Sequence, residues 1–190
     1  MRVLHFFLAT AVVLSMHSCT PPDRTEYVKQ IDSISNALEN VASSYEKINL
    51  EELESTLDTV EQQIDFIKQN FKGNMKKDMA IELGEYEEIE EFIPELGERE
   101  ENISNGLAVS REQLASLKKA LAENATHDAV GNEINDEYIK KQIQQEKTIN
   151  AALIREIEFV IEKSAAVTKT FERHYSQTKS WCDSIAASSK

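Results

Sequence analysis

Apolar residues recur along most of this chain at alternating steps of four and three, which is the repeat of a coiled-coil seam. The first series comprises Tyr27, Ile31, Ile34, Leu38, Val41, Tyr45, Ile48, Leu53, Leu57, Val60, Ile64, Ile67 and Phe71. One step of five, between Ile48 and Leu53, interrupts it. Asn49 followed by Glu52 has the form of a helix N-terminus. The pattern therefore predicts a helix over 24–72 with a kink at Asn49.

Two further seams follow the turn at Gly73-Asn74. The second runs from Met75 to Leu121, and its phase continues through Pro94 and Gly97, which favours a kink over a loop. The third runs from Ile139 to Ile185. The polar residues on these two seams are Glu82, Glu100, Ser110, Glu146, Asn150, Ser164, His174 and Thr178. Helices are predicted over 75–123 and 136–185, joined by a connection over 124–135.

The three predicted helices have nearly equal lengths, each about 75 Å at a rise of 1.5 Å per residue. Short connections make neighbouring helices antiparallel. Folding the chain at both connections brings the irregular positions to one height, namely Asn49, Pro94, Gly97 and Ser164-Ala165-Ala166. We therefore predict an all-α fold, an elongated three-helix antiparallel coiled-coil bundle kinked near mid-length. Ala165 or Ala166 is expected to point inward there.

Composition narrows the classes of partner. The chain has 21 Lys and Arg against 34 Asp and Glu, a net charge of −13. This balance argues against nucleic acid and against a protein that lies flat on anionic lipid. Only five Gly and three Pro occur, which is typical of a chain built from a few long elements.

The N-terminal segment has the layout of a cleavable secretion signal. Arg2 supplies a positive start, an almost entirely apolar run extends from Val3 to Met16, and Ser18-Cys19 ends it. The segment resembles bacterial lipoprotein signals, in which the cysteine becomes the acylated first residue of the mature chain. We therefore expect a signal peptide over 1–18, lipidation at Cys19, and one helical-bundle domain over 19–190. The lipid anchor would then attach the domain to a membrane.

The remainder of the chain also carries a resemblance. Its helical layout, with the stretch Ser110-Arg111-Glu112-Gln113-Leu114-Ala115-Ser116-Leu117-Lys118, is similar to uncharacterised helical lipoproteins of the Bacteroidota. That resemblance implies a lipid-anchored cell-envelope protein and supplies no activity or binding residues. We place it on the outer membrane facing the periplasm, with the cell surface as the alternative.

A candidate partner-binding tip lies at the end of the rod farthest from Cys19, where the Gly73 turn meets the C-terminal end of the third helix. Its residues are Phe71, Lys72, Met75, Lys76, Lys77, Lys179 and Trp181. An aromatic centre with a basic rim suits an acidic or carbohydrate-bearing envelope partner. The alternative is that the apolar members only close the core.

The glutamates, histidines and cysteine of the remaining sequence do not indicate a catalytic reaction. The ten glutamates between Glu82 and Glu101 read as a solvated helix face, although a cationic partner is the alternative. His127 and His174 lie too far apart in the predicted fold to share a metal. His174 reads as a core residue level with Glu85. Cys182 reads as an inert thiol. No GxSxG, glycine-rich phosphate loop or HExxH motif occurs, so we expect neither an enzyme nor a cofactor or metal site.

The leading functional hypothesis is a lipid-anchored structural or interaction protein that presents a rigid helical rod to an envelope protein or glycan. The alternative is a periplasmic binding module or a chaperone-like holdase. A holdase requires a large exposed apolar groove, whereas a rod requires closed seams. Nothing in the sequence indicates an oligomer.

Overall fold

The computed structural model describes residues 24–188, and four α-helices make up most of this part of the chain. They are α1 (Thr25–Tyr45), α2 (Leu50–Asn70), α3 (Lys77–Ala122) and α4 (Asp136–Ser188). Residues 123–135, here called the 123–135 loop, contain one isolated β-bridge between His127 and Glu133. The described residues form no strand, and the predicted all-α class is confirmed.

The predicted first helix over 24–72 is wrong as a single element, because the helix ends at Tyr45 and a new one begins at Leu50. Asn49 has an extended backbone conformation, and its side chain accepts a hydrogen bond from the backbone N–H of Glu52 at 3.2 Å. Its Nδ2 donates to the Glu52 carboxylate in return. The cap satisfies one otherwise unpaired backbone amide of a new helix. The Asn49–Glu52 pair therefore marks a break between two separate helices instead of a kink within one.

The predicted second and third helices need only small adjustments. α3 begins at Lys77 instead of residue 75, because Lys76 still has an extended backbone. It then continues through Pro94 without ending, as the unbroken phase of its seam predicts. α4 extends to Ser188, three residues beyond the predicted end.

Side-chain contacts give the directions of the helices. On α1 and α3, Asp32 pairs with Lys118 and Glu39 with Arg111, so residue numbers rise on one helix as they fall on the other. The pairing of Gln63 on α2 with Tyr86 on α3 continues this antiparallel order. Both α1 and α2 pack against α3 and against α4. The two short helices therefore follow one another along the α3–α4 pair.

The core lies along the predicted seams. Its fully buried side chains include Ile31, Leu38, Val60, Ile103 and Ile157. Six of the eight polar seam residues are buried with them, namely Ser110, Glu146, Asn150, Ser164, His174 and Thr178. Glu82 is only half-buried because Leu83 occupies the core position there, and Glu100 is exposed. The heptad pattern therefore located buried polar groups as well as apolar ones.

Two aromatic rings and two cations join α3 to α4 near mid-length. The Arg99 guanidinium lies 4.5 Å from the centre of the Phe159 ring, and Lys163 Nζ lies 4.1 Å from that of Phe92. Arg99 also pairs with Glu156 on α4. Cation–π contacts of this kind contribute about 0.5–1 kcal/mol each when exposed.

Gly84 is a site where the fold tolerates a more helical residue. It lies within α3, and a Cβ added to it would meet nothing within 4 Å. We expect Gly84→Ala to raise the free energy of unfolding by about 0.5–1 kcal/mol, because alanine loses less backbone entropy in a helix. Urea unfolding followed by circular dichroism measures this.

The matched control for that substitution is Gly131→Ala in the 123–135 loop. Gly131 has φ +91°, a conformation that L side chains rarely adopt, although the space around it is open. Alanine should therefore destabilise the protein here. Equal effects of the two substitutions would contradict the conformational argument.

Candidate functional site

The predicted leader over 1–18 and the lipidation residue Cys19 lie outside the described residues. The first described residue, Arg24, fastens the chain to the 123–135 loop. Its guanidinium donates to the backbone carbonyl oxygens of Ala125 and Ile134, each at 3.0 Å. The N-terminal end of α1 therefore lies at the end of the bundle that carries this loop, as the predicted register requires.

Asp128 organises the 123–135 loop. Its Oδ1 accepts from the backbone amides of Val130 (3.0 Å) and Asn132 (2.8 Å). Its Oδ2 accepts from Asn132 Nδ2 (2.7 Å) and from the Tyr138 hydroxyl (2.9 Å). These hydrogen bonds lower the pKa of Asp128 to about 2, so the carboxylate is ionised at neutral pH. The predicted connection is therefore a structured loop with a fixed negative charge.

A cavity of about 390 Å³ opens between this loop, α3 and α4, and we call it the loop-end cavity. Its apolar lining consists of Leu117, Ala120, Ala129 and Ile134. Its polar lining consists of Gln113, Ser116, His127, Asp128, Tyr138, Gln142 and Glu146. Among the described residues, two carboxylates therefore line the cavity, and no lysine or arginine does.

Glu146 and Asn150 form a buried polar pair one helical turn apart on α4. Glu146 is 7% exposed and Asn150 is 1% exposed. Asn150 Nδ2 donates to the backbone carbonyl of Glu146 at 2.8 Å and to its Oε2 at 3.3 Å. Burial raises the pKa of the Glu146 carboxyl, and the hydrogen bond from Asn150 acts in the opposite direction. Asn150 Oδ1 has no hydrogen-bond partner among residues 24–188.

Sequence reasoning did not identify the loop-end cavity as a site. The available signal was the pair of polar seam positions, Glu146 and Asn150, one turn apart beside a loop that contains Asp128. Each residue taken separately has an ordinary structural role. Only the return of α4 past the loop brings the Glu146 and Asp128 side chains to one cavity.

At the opposite end, the structure brings two of the predicted tip residues to one cavity. Phe71 and Lys72 help to line a space of about 390 Å³, here called the tip cavity. The other lining residues are Asn70, Gly73, Ser184, Ile185 and Ser188. The Gly73 turn therefore meets the C-terminal end of α4. Trp181 does not line this cavity and instead packs, partly buried, against the core.

The other predicted tip residues, Met75, Lys76, Lys77 and Lys179, do not line the tip cavity. Met75 is 42% exposed, and Lys76 and Lys77 are exposed at the start of α3. Lys179 pairs with Asp183 on its own helix at 2.7 Å. Lys72 donates to the backbone carbonyl of Gln69 at 3.0 Å. The exposed positive charge closest to the turn in sequence is therefore that of Lys72, Lys76 and Lys77.

Two grooves flank the break between α1 and α2. One, of about 500 Å³, faces α4 and is lined in part by Ile48, Asn49, Ser164, Ala165 and Phe171. The other, of about 250 Å³, faces α3 and is lined in part by Leu50, Leu53, Pro94 and Gly97. The first groove therefore brings Asn49 near Ser164 and Ala165, and the second brings the start of α2 near Pro94 and Gly97.

The expected inward orientation of Ala165 or Ala166 is wrong. Both are exposed, and Ser164 is the buried member of the triplet. The physical reason is the helical phase of α4, because Ser164 and Val167 occupy its seam and are buried, which leaves Ala165 and Ala166 outside the seam. Ser164 and Ala165 line the groove beside the break.

Three of the ten glutamates between Glu82 and Glu101 pair with neighbouring side chains. Lys68 of α2 pairs with Glu87, and Arg99 pairs with Glu95 at 2.7 Å. Glu85 Oε2 lies 3.0 Å from Nε2 of the buried His174. The prediction of a core histidine level with Glu85 is confirmed. The pair with Lys68 connects α3 to α2 and the contact with His174 connects it to α4, whereas the Arg99–Glu95 pair lies within α3.

Cys182 lies in a partly buried position on α4. Its Sγ lies 3.7 Å from the backbone carbonyl of Gln63, and it is a free thiol. Burial raises the pKa of the Cys182 thiol, so the reactive thiolate is disfavoured at neutral pH.

Within residues 24–188, no group of three or more His, Cys, Asp or Glu side chains could hold a metal ion. None of the described helices combines the length and apolar character that a membrane crossing requires. Comparison with known proteins finds no matching family model, no matching curated protein and no matching solved structure.

Proposed function

We propose that this chain is a lipid-anchored cell-envelope protein whose helices form an elongated three-helix antiparallel coiled coil, kinked near mid-length. In this proposal Cys19 carries the lipid and the bundle holds its far tip away from the membrane. A tip so placed can contact an envelope protein or glycan. Outer-membrane attachment facing the periplasm is the proposed location.

The observation that carries this proposal is the attachment of Arg24 to the 123–135 loop. Only four positions separate Arg24 from Cys19, so a lipid at Cys19 would hold the loop end close to the membrane. The turn at Gly73 and the end of α4 lie at the opposite end of the helices. A rod anchored in this way presents the tip cavity and the exposed lysines of the turn outward.

The test combines anchoring and tip variants in native envelopes. Cys19→Ala should abolish acylation and detergent partitioning. Lys76→Glu/Lys77→Glu should abolish cross-links between the tip of the anchored protein and its envelope partner, because charge reversal repels an acidic partner. The matched control is Lys140→Glu/Lys141→Glu, which reverses two adjacent exposed lysines on α4 near the loop end. In this control variant the cross-links between the tip and the envelope partner should persist.

Three outcomes would refute the proposal. Lipid incorporation that persists in Cys19→Ala would show that Cys19 is not the lipid attachment site. Cross-links that persist in Lys76→Glu/Lys77→Glu would show that these lysines are not part of a binding surface. Equal loss in the tip and control variants would show a general charge effect. Trp181→Ala separates binding from core closure, because the partly buried indole packs on the core and its loss should lower thermal stability.

The two grooves beside the α1–α2 break are the observation that favours the alternative of a periplasmic binding module or holdase. The rod is favoured over it because the large exposed apolar residues are scattered along the described chain. They are Met75, Ile81, Val109, Val130 and Ile149. An apolar-binding dye distinguishes the two, since a holdase should give strong dye fluorescence in the native state.

A further inference from the structure

We propose that the loop-end cavity binds a small alkylammonium ion, with the Glu146 carboxylate receiving the ammonium group. This site lies at the opposite end of the helices from the proposed tip and does not depend on the lipid anchor. The ligand is a compact amine with a short apolar body. The argument rests on the charge, the unused hydrogen-bonding capacity and the lining of the cavity.

The charge of the cavity lining is anionic. Asp128 and Glu146 both line it, and none of its eleven lining residues is a lysine or arginine. Asp128 is ionised, but its two oxygens already accept four hydrogen bonds from the loop and from Tyr138. It therefore supplies negative potential without being the principal acceptor for a ligand.

Glu146 supplies the free acceptor. It is 7% exposed, yet its carboxylate accepts only one hydrogen bond from the described residues, the 3.3 Å contact from Asn150. A carboxylate has about four acceptor positions. A buried carboxylate with unused positions is costly unless a cation pairs with it. An ammonium group supplies the charge and three N–H donors together.

The remaining lining fits an alkyl body. Leu117, Ala120, Ala129 and Ile134 contribute an apolar wall, while Gln113, Ser116 and Gln142 supply neutral polar groups. An alkyl chain can lie against that wall while its ammonium group meets Glu146. A metal ion fits less well, since no cluster of three ligating side chains occurs in the described residues.

The test is a titration of the isotope-labelled full chain with butylamine, followed by the amide chemical shifts of α4. We expect saturable shifts near Tyr138, Gln142 and Glu146, and no saturable shifts with the neutral analogue 1-butanol. Glu146→Gln should weaken butylamine binding at least about tenfold, because it removes a charge-assisted hydrogen bond in a nearly buried setting. The variant should remain folded, since Gln has nearly the same shape.

The matched control is Glu137→Gln, which removes one negative charge at an exposed position on the same helix. It should retain the affinity of the parent chain. Gln142→Lys is a second variant that places an ammonium group at the cavity, and it should abolish butylamine binding. Three results would overturn the proposal: equal binding of 1-butanol, unchanged affinity in Glu146→Gln, or shifts that do not saturate.

Discussion

Replacing Tyr86 with alanine is expected to lower the free energy of unfolding by about 3–5 kcal/mol, the range found for large aromatic truncations in cores. Tyr86 is 0% exposed on α3 and reaches two other helices. Its ring lies 6.1 Å from the ring of Phe171 on α4, centre to centre, and its hydroxyl donates to Gln63 Oε1 on α2 at 2.9 Å. The substitution therefore removes packing from three helices at once.

Tyr86→Phe is the matched control for this experiment. Burial raises the pKa of the Tyr86 phenol, so the hydroxyl stays protonated and acts as a donor throughout the neutral range. Removing the hydroxyl alone should cost only about 1 kcal/mol, the usual net contribution of one hydrogen bond. Urea unfolding of both variants gives the comparison. A loss below about 1 kcal/mol for Tyr86→Ala would contradict the described packing.

Replacing Thr178 with valine is expected to raise the free energy of unfolding by about 1–2 kcal/mol. Thr178 is 0% exposed on α4, and its Oγ1 has no hydrogen-bond partner among the described residues. A buried hydroxyl without a partner costs about 1–3 kcal/mol in desolvation. Valine keeps the branched shape and removes the polar atom. Thermal and urea unfolding should both show the gain.

Thr148→Val is the control for that substitution, since it makes the same change on the same helix. Thr148 is exposed, and its hydroxyl donates to the backbone carbonyl of Gln144 at 2.9 Å. Its replacement should alter stability by less than about 0.5 kcal/mol, as is usual for surface positions. A Thr178→Val variant no more stable than the parent would show that the buried hydroxyl is satisfied in solution.

The two cavities at the ends of the bundle arise from different physical causes. At the loop end, Asp128 stabilises the 123–135 loop through short-range hydrogen bonds. Glu146 lines the same cavity because α4 passes beside this loop. At the tip, an extended Phe71 ends α2 and leaves a space beside Ile185. Both of these cavities therefore lie where helices end, whereas the two grooves at mid-length lie beside the break between α1 and α2.

The positions of the helices and of their buried faces followed from local pattern. A period between three and four places one stripe of side chains on the core side of a helix, whatever its partners are. For this reason the seam pattern placed Ile31 and Val60 on the core side, and His174 was predicted to be a core residue. The pairing level of His174 with Glu85 followed from helix length alone.

The break over 46–49 could not be distinguished from a kink by local sequence pattern alone. The Asn49–Glu52 pair indicated a helix start, but the same residues are compatible with a kink in one continuous helix. The choice depends on whether α3 and α4 leave room for the chain to unwind, which is a property of the packed bundle.

The sequence by itself determined an all-α chain, the approximate ends of its long helices and the faces that they bury, because these depend on spacing within one helix. Only the tertiary structure decided which side chains share a cavity. Glu146 and Asp128 meet because α4 folds back past the loop, and Phe71 meets Ile185 because α2 ends beside α4. Spacing along one helix carries no information about the distance to another.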